Sequence, residues 1–133
     1  MKVVRLKDLQ GTEREVVSPA GWTSVRFLLK KDGMGFSFHE TTFPPGLELD
    51  MWYKHHVEAV YCYQGRGLLT NRDTGDTFVI EPGTLYALDK HDRHTLKAET
   101  ELKLVCAFNP PVSGREVHDA DGAYVIADDE RGS

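Results

Sequence analysis

The stretch GLELDMWYKHHVEAVYCYQG, Gly46 to Gly65, decides how the rest of the chain is read. Its second half, Val57 to Tyr63, sets valines and tyrosines around a single carboxylate, Glu58, and stops at Gly65, which is the composition of a strand closed by a turn. Counted from Gly46, Trp52 follows five intervening residues, Lys54 one more, Glu58 three more and Gly65 six more. A glutamate on a strand ordinarily faces water, so Glu58 takes its meaning from this frame. On either side, from Val25 onward, the pattern repeats as short segments rich in Val, Phe, Tyr, Leu and Thr. Turn signals separate them: Lys31-Asp32-Gly33, Pro44-Pro45-Gly46, Gln64-Gly65-Arg66-Gly67, Asp73-Thr74-Gly75-Asp76 and Glu81-Pro82-Gly83. Nothing between them is long enough for a crossover helix, which excludes parallel βαβ units and leaves an antiparallel sandwich or a jelly-roll barrel, the barrel being favoured. The plainest hairpin joins Gly67–Arg72 to Thr77–Ile80. Leu6 to Gln10 suits one helical turn, and the polar end from Asp119, above all about 126–133, is expected to fray.

Composition narrows the function. The 133 residues carry 16 Lys+Arg against 21 Asp+Glu, a net charge of −5, with 40% hydrophobic residues. That is one globular domain, 1–133, able to bury roughly two-thirds of its unfolded surface without staples. No basic block marks a phosphate backbone as partner, so nucleic acid is set aside. No run approaches the roughly 18 apolar residues of a membrane span, and the charged start MKVVRLKDLQ is unlike a signal peptide; a cytoplasmic protein is expected. Cys62 and Cys106 each sit in an apolar run and read as reduced, buried thiols.

The Gly46–Gly65 frame resembles the first cupin motif, G-x5-H-x-H-x3-4-E-x6-G, whose two histidines and glutamate point into a barrel mouth as metal ligands. Glu58 keeps its place, whereas Trp52 and Lys54 stand where the histidines would be. A second motif is visible in outline: Gly75, then Pro82-Gly83, then Tyr86 three residues later, where cupins place a further histidine. His94 lies eight residues beyond Tyr86. Glu58, Tyr86 and His94 are therefore the candidate metal ligands. One carboxylate, one phenolate and one imidazole suit Fe(II), Mn(II) or Zn(II) and not Cu(I). A phenol ordinarily keeps its proton until about pH 10, so binding would strengthen as pH rises. Of the adjacent His55 and His56, only one can face inward from a strand; His56 is expected nearer the pocket, neither as a direct ligand.

A closer likeness covers nearly the whole chain. GTEREV (11–16), GWTSVR (21–26), LLKKDGMGFSFHETT (28–42), WYKHHVEAVYC (52–62), PGTLYALDKHDRH (82–94) and FNPPVSGREVHDADG (108–122) together resemble the ectoine synthases. The resemblance implies an all-β, single-domain cupin barrel with little helix, cytoplasmic and homodimeric. It implies a hydro-lyase that cyclises N4-acetyl-L-2,4-diaminobutyrate with loss of water to ectoine, an osmoprotectant of the stress response. It puts the family's iron ligands on Glu58, Tyr86 and His94, with Fe(II) first and Zn, Mn or Co as substitutes. It also places Trp22, Ser24, Arg26, Thr41, Tyr53, Phe108, Glu116 and His118 around the substrate.

Ring closure needs a neutral amine to attack an amide carbon, and the departing hydroxyl needs a proton. Tyr53, Glu116 and His118 are the candidates for that acid and base work, unranked. Arg26 suits the substrate carboxylate through its planar fork, with Ser24 and Thr41 as polar contacts and Trp22 and Phe108 as apolar walls. Two other readings compete: a metal-dependent cupin oxygenase, weakened by the missing histidine pair, and a non-catalytic small-molecule-binding cupin, which would not need all three ligand residues. Lys30-Lys31-Asp32 and Asp128–Arg131 read as solvated charge.

Overall fold

The structure, a computed structural model, describes residues 1–114. Among them run ten strands: β1 (Glu15–Val17), β2 (Thr23–Leu28), β3 (Ser37–Phe43), β4 (Glu48–Met51), β5 (Val57–Gln64), β6 (Gly67–Asn71), β7 (Thr77–Ile80), β8 (Leu85–Leu88), β9 (His94–Ala98) and β10 (Leu102–Asn109). One short helix, α1 (Leu6–Leu9), precedes them, as the sequence suggested. Six strands form one antiparallel sheet in the order β1-β2-β3-β10-β5-β8, and four form a second in the order β4-β9-β6-β7. The all-β, two-sheet barrel expected from the turn spacing is present.

Alternation builds the interior. Along β10 the residues Leu102, Leu104, Cys106 and Phe108 are buried while their neighbours are half-exposed. Glu58, Val60 and Cys62 do the same on β5. Both thiols are free and buried. The hairpin is one residue shorter than expected, because Asn71 Oδ1 accepts the amides of Asp73 (3.0 Å) and Thr74 (3.2 Å) and so ends β6 before Arg72. Strand structure also begins earlier than Val25. β1 is a three-residue edge strand followed at once by Ser18-Pro19, too short for a period-two pattern to show.

Asp32 corrects the reading of Lys30-Lys31-Asp32 as solvated charge. Its carboxylate accepts the Leu29 amide at 2.8 Å and pairs with Arg14 at 3.1 Å and Lys2 at 3.0 Å, which holds it far below the usual carboxylate range. It fastens the start of the chain to the loop after β2.

Gly65, the last residue of the deciding frame, is fixed by geometry. Its φ is +90°, and a Cβ there would lie 2.0 Å from the backbone oxygen of Glu101. Gly65→Ala should therefore lower unfolding free energy by about 3 kcal/mol or more, read by urea denaturation. Stability within about 0.5 kcal/mol of the parent would show that the two loops do not approach as described.

Candidate active site

The loop between β4 and β5 delivers the first group of site residues. The alternation slips by one residue within it: Met51 and Tyr53 are buried before the slip, His56 and Glu58 after it, while His55 and Val57 are exposed. His56 is thus the inward member of the pair, as expected, at 1% exposure. Its ring meets Phe108 edge-on at 5.8 Å. Tyr53 packs on the same Phe108 at 5.2 Å and lies 6.0 Å from the His94 ring. Its hydroxyl donates to Met51 Sδ at 3.5 Å, a weak acceptor.

An interior cavity of about 30 Å³, room for roughly one water or a single ion, is lined by Trp22, Thr41, Tyr53, Glu58, Tyr86 and Phe108 among others. Six of the residues singled out from sequence therefore share one void. Burial pushes the Glu58 carboxyl up to about 8, partly opposed by the Cys106 thiol within hydrogen-bond reach. Burial first, and then the Glu58 charge, drive the Tyr86 phenol well above its ordinary range. Both groups hold their protons at neutral pH in the cation-free protein. Cys106, read from the sequence as a reduced, buried thiol, lines this cavity and also reaches Thr41 Oγ1 at 3.7 Å.

His94, at the start of β9, stands one step away. With Tyr86 it lines a larger cleft of about 380 Å³ between β7 and β8, the edge strands of the two sheets. Tyr86 is thus the wall common to both spaces. The Nδ1 of His94 lies 2.9 Å from the Asp92 carbonyl, so that nitrogen carries the proton and donates. Its Nε2 is buried with no hydrogen-bond partner. Burial depresses the basicity of the ring, keeping it neutral. A buried imidazole with a pinned tautomer and an open lone pair is the state in which histidine binds metals. Among the described residues no three His, Cys, Asp or Glu side chains cluster as a metal centre, so a cation here depends on the Tyr86 phenol as well.

Ser24 and Arg26 lie outside the 30 Å³ cavity's lining. Arg26, at 0% exposure, brings Nε to 3.4 Å from Ser24 Oγ and donates from its guanidinium to the Gly114 carbonyl. It neighbours His39 across β2 and β3. His39 was not singled out from sequence. It is fully buried, 5.2 Å from the Phe108 ring, and neither ring nitrogen has a hydrogen-bond partner. Burial, then the charge of Arg26, keep it neutral. Its signal was alternation with the buried Ser37 and Phe43 on β3. Glu116 and His118, and the tail about 126–133, lie outside the described residues.

A two-sheet antiparallel barrel with a carboxylate, a phenol and an imidazole turned inward from β5, β8 and β9 is a cupin. An RmlC-like cupin from Shewanella frigidimarina shares the fold at TM-score 0.66 and 15% identity over 83% of this chain and 91% of that one. The chain belongs to the ectoine synthase family, whose profile matches residues 1–128. An L-ectoine synthase from Alkalilimnicola ehrlichii is 59% identical over 131 residues, 98% of each chain. The crystal structure of ectoine synthase from P. lautus superimposes at TM-score 0.84 with 44% identity, covering 96% of this chain and 94% of that one. Relatives of that name are hydro-lyases, and the chain is an enzyme of that class.

Proposed function

We propose that the barrel interior cyclises N4-acetyl-L-2,4-diaminobutyrate, forming the bond from its amine nitrogen to the acetyl carbon and releasing the acetyl oxygen as water. The observation that carries the site assignment is the buried, unpartnered Nε2 of His94 beside Tyr86, itself sharing a cavity with Glu58. These donors fit a divalent cation, Fe(II) foremost and Zn(II), Mn(II) or Co(II) as substitutes. When bound, such an ion supplies Lewis acidity toward an amide oxygen.

The rest falls to the chain. Arg26 offers a desolvated guanidinium to the substrate carboxylate, with Ser24 and Thr41 as hydrogen-bonding neighbours. Trp22 and Phe108 fold the flexible substrate so that amine and carbonyl meet, converting an encounter into a positioned reaction. Tyr53 lines that interior, and its hydroxyl, which donates to Met51 Sδ, can hand a proton to the departing oxygen; Glu116 and His118 complete the acid and base candidates. Membrane and nucleic-acid partners have no role in this reading; no helix among the described residues is long and apolar enough to cross a membrane. The protein works in the cytoplasm as a homodimer, supported by the outer edge of β1, which is unpaired among the described residues and where Val17 is 68% exposed.

The test is anaerobic incubation of Fe(II)-loaded protein with the acetylated diaminobutyrate, following ectoine by chromatography beside a chelated control. Ectoine from the loaded sample alone is expected. Equal rates with and without chelator would overturn the metal reading, and oxygen uptake without ectoine would point to the oxygenase.

A further inference from the structure

The turn from β8 into β9 contains a conformational exception. His91 has φ +53°, the only positive φ at a non-glycine residue among those described; elsewhere that region is met by glycine. A side chain there carries a steric cost that glycine avoids, although histidine bears it better than most. What the ring gains is a double contact. Its Nδ1 lies 2.8 Å from the carbonyl oxygen of Tyr53 and 3.1 Å from that of His56, so one N–H donates across the turn that joins β4 to β5. The two carbonyls belong to residues whose rings flank Phe108 in the interior. The His91 side chain is otherwise exposed, so nothing in the core depends on its bulk.

We propose that His91 is a positioning residue: it clasps the 53–56 turn from outside the barrel and thereby holds the Tyr53 hydroxyl and the His56 ring in register with His94, three residues further along its own segment. The left-handed backbone aims Nδ1 at the turn. This rests on the placement of Tyr53 in the catalytic interior.

Three variants separate the possibilities. His91→Gly removes the clasp while relaxing the backbone, and should fold at least as stably as the parent. Its kcat should nevertheless fall about 10- to 100-fold, with KM moving much less. His91→Asn tolerates the same φ and carries an amide N–H close to the position of Nδ1, so it should recover most of kcat. Trp52, adjacent to Tyr53 and carrying Lys54 over its ring at 4.7 Å, should shift its fluorescence emission in the glycine variant and return in the asparagine one. A His91→Gly enzyme with kcat and emission within about twofold of the parent overturns the clasp. So does a loss of kcat that merely tracks a lower melting temperature. Tyr53→Phe is the companion measurement: if it leaves kcat unchanged, the reading of the interior fails and takes the clasp with it. If it disables the enzyme while His91→Gly does not, the clasp alone is wrong.

Discussion

Glu58→Gln yields a folded barrel that emerges from gel filtration without a divalent cation and forms ectoine at least about 100-fold more slowly than the parent. In the cation-free protein Glu58 already carries its proton at neutral pH, because burial raises it to about 8. Glutamine is a neutral body of the same shape, so the fold loses little. The cation loses its only carboxylate among Glu58, Tyr86 and His94. The same raised value fixes a pH trend. A carboxyl that stays protonated below about 8 must release that proton when a cation arrives, and Tyr86 adds a second proton. Apparent affinity should therefore climb with pH between about 6 and 8. A variant with full metal content, or affinity that falls as pH rises, would remove Glu58 from the ligand set.

Arg26→Met should separate stability from activity. The guanidinium is fully buried, and Met keeps the length of the side chain while removing its charge. Two charge-assisted hydrogen bonds to a carboxylate together contribute about 3 kcal/mol or more. The variant should still fold, melting below the parent because the Gly114 carbonyl loses its donor, yet need about 100-fold more substrate to reach half-maximal rate. An unchanged KM would assign Arg26 to the architecture alone, through Ser24 and Gly114.

The frame from Gly46 to Gly65 and the turn spacing were enough to read a barrel of antiparallel strands, since both are local patterns. β1 escaped because three residues cannot display a period. Within the site, i and i+2 spacing placed His56 and Glu58 on one face, and the burial of both bears that out. What a linear text could not show was register across strands. His39 acquires its surroundings from Arg26 and Phe108, contributed by β2 and β10 on either side of it. The role of Asp32 depends on Lys2, thirty positions away. His91 looks like any polar loop histidine until its φ and its two carbonyl partners are known.

The edge-strand position of Tyr86 carries a kinetic consequence. Among the described residues β7 pairs only with β6, and β8 only with β5, so there the two sheets end side by side without hydrogen bonds to each other. Such a seam is where amide protons exchange first, since opening it breaks the fewest contacts. Tyr86 rides on one lip of the seam, while His94 belongs to the opposite sheet. A cation held by both would tie β8 to the opposite sheet through β9, which lies inside that sheet between β4 and β6. Deuterium uptake at Leu85–Leu88 should slow on loading by more than it does in the middle of β10, making the seam a clock for occupancy that runs independently of turnover.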